Sequence, residues 1–165
     1  MQPADAQRLR LRREHLQLRL RRGEEARQFR EFAALLQAAG VRRFSRLPPV
    51  RVRALKARRL NLPGRDERLY WPEIPEGTCL AWKDEHERNA AFARALQACF
   101  APGVRLVLIT SSSESALVLG YEDAIAHAGL LLDAANWRLW VICLDGSPGV
   151  VEACASDNEV CWLPP

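Results

Sequence analysis

The stretch from Trp137 to Leu163 constrains the fold most. Two turn clusters, Asp145-Gly146-Ser147-Pro148-Gly149 and Ser156-Asp157-Asn158, cut it into three apolar segments: Trp137–Leu144, Val150–Ala155 and Glu159–Leu163. Asp-Gly, Ser and Asn are the residue types that tight hairpin turns need. Segments joined by turns this short pair antiparallel, because a parallel return requires a crossover of a dozen or more residues. The pattern predicts a three-strand meander.

Upstream, Thr78–Trp82 reads as a strand. Asp84, with Glu87 three residues on, has the spacing of a capping box. Phe92, Leu96, Cys99 and Phe100 then share one helix face, and Pro102-Gly103 stops that helix before a strand at Val104–Thr110. Ser111 and Glu114 repeat the cap pattern, and Tyr121–Ala128 is expected to be helical. Nearer the start, Phe29, Phe32, Ala33 and Leu36 form the buried stripe of a helix over Glu24–Ala39, which Gly40 ends in a left-handed conformation. A short helix or turn is expected around Val52–Leu60. The first 22 residues repeat Leu-Arg-Leu-Arg-Arg at 9–13 and 18–22. Propensity favours a helix there; the alternation of Leu9/Leu11 and Leu16/Leu18/Leu20 leaves a hairpin as the alternative. The fold expected is α+β, a helical N-terminal half packed with a mainly antiparallel C-terminal sheet that carries one or two helices on one face. Residues 1–22 read as a basic N-terminal arm and 23–165 as a single domain.

Charge is sorted along the chain. Residues 1–70 hold 19 Arg/Lys against 7 Asp/Glu, and residues 71–165 hold 5 against 13, so a net charge of +4 conceals a basic front and an acidic back. Such asymmetry concerns partners and association rates rather than fold. Two readings compete for the front. Arg10, Arg12, Arg19, Arg21, Arg51, Arg53 and Arg58 suit phosphate contacts, which would make nucleic acid a partner. Alternatively, the front packs beside the protein's own acidic half. The second is preferred, because no RNA- or DNA-binding motif accompanies the charge.

Chemistry is sparse. Ser111-Ser112-Ser113 lacks the glycine frame of a nucleophile elbow and reads as a helix cap. Glu122, Asp123 and His127 have no second His or Cys close by, so no metal site is expected. No Gly-rich phosphate loop is present, and no cofactor and no catalytic residue are assigned. Five cysteines without close pairing (Cys79, Cys99, Cys143, Cys154 and Cys161) read as reduced, mostly buried thiols of a cytoplasmic protein. No apolar run approaches the ~20 residues of a membrane span, and the N-terminus offers no apolar signal-peptide core.

All five tryptophans fall in the acidic half. Trp137 and Trp140 lie an odd number apart on one strand and so face opposite sides, one of them expected at the surface. With Asp84, Glu85, Glu122, Asp123, Asp157 and Glu159, Trp140 forms the expected partner-binding set, since aromatic anchors beside charge serve steered protein–protein binding. The segment Trp137-Arg138-Leu139-Trp140-Val141, followed by Asp145-Gly146, Glu152 and Glu159-Val160-Cys161-Trp162, resembles the Trp-bearing β-meanders of small bacterial immunity proteins. That resemblance implies a non-enzymatic cytoplasmic protein that neutralises a cationic toxin domain by plugging its active site or masking its substrate surface. The alternative function is nucleic-acid binding through the Arg-rich front, and no membrane is expected as partner.

Overall fold

In the computed structural model, described over residues 3–62, 64–65, 68–110, 116–135 and 138–165, the meander lies within a larger sheet. The elements run α1 (Pro3–Ala38), β1 (Phe44–Leu47), α2 (Pro49–Arg59), a small ribbon β2 (Gly64–Arg65) and β3 (Arg68–Leu69), a 3-10 turn at Trp71–Glu73, and β4 (Thr78–Ala81). They continue as α3 (Glu85–Cys99), β5 (Arg105–Thr110), β6 (Ala116–Gly120), α4 (Tyr121–Ala126), α5 (Ala128–Ala135), β7 (Arg138–Cys143), β8 (Val150–Cys154) and β9 (Glu159–Leu163). Seven strands form one sheet in the order β1-β6-β5-β7-β8-β9-β4, every pairing antiparallel. The α+β class is therefore as the sequence implies. The sheet also recruits two edge strands from the first half of the chain.

Both sheet faces are covered. On one, Leu106, Leu108, Leu117, Leu119, Leu139, Val141 and Val151 pack against Leu36 of α1, Phe92 and Leu96 of α3, and Leu131 of α5. On the other, Val107, Ile109, Val118, Trp140, Ile142 and Cys161 meet Val52 of α2 and the segment carrying Leu69, Trp71 and Ile74. An antiparallel sheet commonly leaves one face to water. Here α2 and the 3-10 turn remove that face, so helices lie on both sides instead of one. This corrects the assignment of Trp140 to a partner surface: it is only 3% exposed. Lys56 of α2 sits 5.1 Å from its ring and Arg138 5.6 Å, a pair of cation–π contacts that close over it. Trp137, like the Ser111/Glu114 cap, lies outside the described residues.

Several local signals act as their chemistry predicts. Asp84 Oδ1 accepts the Glu87 N–H and Glu87 Oε2 accepts the Lys83 N–H, each at 2.8 Å, which caps α3. Gly40 takes φ +88°. Its N–H reaches Gln37 O while Val41 N–H reaches Leu36 O, the paired bonds of a Schellman stop, with Val41 and Leu36 both buried in the core. Residues 3–22 join the following helix, so propensity prevails over the alternating pattern and the hairpin does not form. The all-thiol reading is also corrected: Cys79 and Cys161 form a disulfide, while Cys99, Cys143 and Cys154 are buried thiols. Register is the cause, since it sets Cys79 of β4 directly opposite Cys161 of β9.

Candidate functional site

The N-terminal half of α1 is the element most open to contact. Its side chains are exposed at every position from 11 to 24, and Glu25 is the first to be buried. The exit point lies where Glu25, Phe29 and Phe32 line a cleft with Thr110, Ala116 and Ala135, at one end of the sheet. Arg46 of β1 holds that point, 3.7 Å from the Glu25 carboxylate and 5.8 Å from the Phe29 ring. Beyond it, residues 3–24 extend about 33 Å at 1.5 Å per residue. Arg27 stiffens the exit by pairing with Glu24 and with Glu31 at 2.7 Å. Pairs at this spacing contribute a few tenths of a kcal/mol each.

Leucines on this segment lie in the open: Leu11, Leu16, Leu18 and Leu20 are 51–65% exposed. From Leu11, alternating steps of four and three residues run through His15, Leu18, Arg22, Glu25, Phe29, Phe32 and Leu36, all on one side of the helix. The stripe that docks α1 onto the body thus continues outward as Leu11 and Leu18. Leu16 and Leu20 occupy the opposite side, and Arg12, Arg13, Arg19, Arg21 and Arg22 are interleaved.

The seven arginines expected to contact phosphate do not form one surface. Arg12, Arg19 and Arg21 are exposed on the projecting segment; the Arg10 side chain lies outside the described residues. Arg51, Arg53 and Arg58 are exposed on α2, across the sheet from the face that α1 covers. Six ion pairs among the described residues do not join the basic front to the acidic back. Arg27–Glu24, Arg27–Glu31 and Arg46–Glu25 pair within the first 70 residues, and Arg88–Asp133, Arg88–Glu85 and Arg138–Glu152 within the rest. Each of these six keeps to its own half.

The acidic set divides as well. Glu159 pairs in register with Ala81, and the Trp82 N–H bonds to Asn158 O. Those links bring Asp84, Glu85, Asp157 and Glu159 to one end of the sheet. Glu122 and Asp123 follow β6, whose last residue Gly120 pairs with Arg105 at the opposite end, and Glu122 accepts the Gly103 N–H at 2.7 Å. Comparison with protein-family models, curated proteins and solved structures finds no match to this chain. Its function is therefore argued from these surfaces alone.

Two clusters escape a reading of local motifs. Glu152, 3% exposed, lies with Arg138 Nε at 3.1 Å from Oε1 and with the Trp71 indole N–H donating to Oε2 at 2.5 Å. The only signal in the sequence is a single carboxylate amid Val150-Val151-Glu152-Ala153-Cys154. Enclosed between a guanidinium and an indole, it ties β8 to β7 and the 3-10 turn; nothing about it is open to a substrate. The second cluster is Cys79, Glu159 and Cys161, whose donor atoms all lie within 4.8 Å of one another. Among the described residues it is the one convergent group of potential metal ligands. His15 on the projecting segment, His86 in the first turn of α3 and His127 after α4 sit on separate elements. No helix among the described residues is long and apolar enough to cross a membrane.

Proposed function

We propose that this protein is a non-enzymatic binding protein and that it contacts another protein through the projecting half of α1. One observation carries the reading: four leucines, each more than half exposed, stand among arginines on a helix segment whose side chains are exposed at every position from 11 to 24. Burying a leucine side chain is worth roughly 1.5–3 kcal/mol, and phosphate contacts recover none of it. Leucines on two opposite sides also cannot share one lipid interface, which an interfacial helix requires. A partner that recovers this energy has an apolar groove or helix seam, and the flanking arginines select an acidic rim.

Neutralisation of a cationic toxin is the second reading, favoured by the convergence of Asp84, Glu85, Asp157 and Glu159 at one sheet end. It would place the acidic contact on the β8–β9 turn and the start of α3, without Trp140.

The test uses the full chain and two fluorescent probes. One is a synthetic helical peptide with leucine at the a and d positions and glutamate at e and g; the other is a short DNA duplex. The peptide should bind, more weakly as salt rises. The substitutions Leu11→Asp and Leu18→Asp together should abolish its binding. The duplex should show only the sequence-independent affinity of roughly 10⁻⁴–10⁻⁶ M near physiological salt. Tighter duplex binding that ignores the leucine substitutions, with no peptide binding, would instead establish the nucleic-acid alternative through Arg12, Arg19 and Arg21.

A further inference from the structure

We propose that Cys79, Cys161 and Glu159 are a zinc site held shut by the disulfide. The three residues come from the edge pair β4 and β9, in which Cys79 faces Cys161 directly. Glu159 precedes Cys161 by two positions, so the strand period puts it on the same face. Their ligand atoms lie within 4.8 Å of one another, already close to the spacing one ion demands. Zinc–sulfur distances of about 2.3 Å at tetrahedral angles set the two sulfurs roughly 3.8 Å apart. The change from disulfide to chelate is thus a rotation of side chains.

Access favours Cys79. It is exposed on an outermost, four-residue strand, whereas Cys161 is buried against the second face of the sheet. The half-buried Glu159 borders the turn at residues 155–158. Solvent therefore reaches the site from the β4 side and supplies a fourth ligand. Two thiolates exclude magnesium and calcium, and the carboxylate oxygen favours zinc over copper(I).

Cys99 and Cys143 do not compete. Cys99 Sγ lies 3.5 Å from Leu163 O and 3.7 Å from Val150 O, and Cys143 Sγ lies 3.6 Å from Arg105 O, all inside the core. Burial pushes the Cys99 thiol up to about 12 and raises Cys143 as well, which keeps both protonated.

Opening the site needs two electrons. A phosphine reductant and water cleave the sulfur–sulfur bond, giving two thiols and the phosphine oxide. Zinc then displaces both thiol protons to solvent. Hydrogen peroxide, taking two electrons from the thiolate pair and two protons from solvent, re-forms the disulfide, leaves as two waters and releases the ion, so the site reads both metal and redox state.

Cobalt(II) is the probe, added to the full-length protein with and without phosphine. The reduced protein should take up one ion and show thiolate-to-cobalt charge-transfer absorption in the near ultraviolet, which zinc abolishes. The oxidised protein should show none. Cys79→Ser should remove about half of that absorption or all of it, and Glu159→Gln should weaken binding by at least about tenfold, the loss typical of disturbing even an outer-shell partner. Zinc should also shield Cys79 of the unsubstituted reduced protein from alkylation, a readout that does not depend on any variant folding. Absence of the charge-transfer band in reduced protein, or a band that Cys79→Ser leaves unchanged, overturns the proposal. So does full alkylation of Cys79 in the presence of zinc.

Discussion

Glu152 shows how much one side chain can hold in place. Its carboxylate satisfies the Trp71 N–H and balances Arg138, whose side chain is itself mostly buried. Replacing it with alanine removes the carboxylate that a mostly buried guanidinium and an indole N–H both contact. Glu152→Ala should therefore destabilise the protein by about 3 kcal/mol or more in denaturant unfolding, as removal of one member of a buried pair does. Glu152→Gln should cost less, because an amide still accepts the indole hydrogen bond. Cys99 makes a second prediction at this scale. Its thiol titrates higher in the folded chain, near 12, than in the unfolded chain, near 9. The unfolded state therefore loses its proton first, and the stability Cys99 contributes is intact below pH 9 and declines towards pH 12. The slope is about 1.4 kcal/mol per pH unit for one group. Unfolding curves across that range should be flatter for Cys99→Ala than for the unsubstituted chain.

At the scale of elements, α1 is one helix in two environments. From Glu25 onward it buries Phe29, Phe32 and Leu36 against the sheet, and before Glu25 it buries nothing from residue 11. Deleting residues 1–22 should accordingly shift unfolding free energy by less than about 0.5 kcal/mol, the range of surface changes. The same deletion should abolish binding of the acidic helical peptide. A loss above 2 kcal/mol would mean that the segment packs on the body in solution. Other elements show why some sequence signals carried and others did not. The α3 cap and the Gly40 stop are decided within a few residues, so local chemistry suffices to read them. β6 is Ala116-Leu117-Val118-Leu119-Gly120, an apolar run buried on both faces. Two-sided burial erases the alternation by which a strand is recognised. β1 is four residues long and lies beside Pro48 and Pro49, with too little length to show any period.

Over the whole molecule, what the sequence hides is placement. The meander, the strand before α3 and the α+β class are legible because hydrophobic period and turn residues act locally. Which groups meet is set by strand order, and no local pattern encodes that. Cys79 and Cys161 are 82 residues apart and become neighbours only through the β4–β9 pairing. Glu122 and Asp157 look alike as exposed acids, yet they stand at opposite ends of the sheet. The odd spacing of Trp137 and Trp140 implies opposite faces of one strand. What it could not reveal is that α2, from the basic half, covers the face where Trp140 lies. The basic front is likewise divided in space: α1 and α2 lie on different sides of the sheet, while four of the acids gather at the sheet end where α1 projects.

The strand order also dictates timing. β1 finds its partner in β6, about seventy residues later, and β4 finds its own in β9, about eighty residues later. As a ribosome extends the chain, neither edge strand has anything to pair with, and the apolar face of α1 has no sheet to rest on. Local hydrogen bonding can form α1 and α3 early, but the sheet closes only after residue 163 has cleared the exit tunnel. Long-range pairing of this kind is slow and leaves apolar surface uncovered meanwhile. The first 70 residues carry 19 Arg/Lys against 7 Asp/Glu, a self-repulsion that opposes association of early chains while that surface is open.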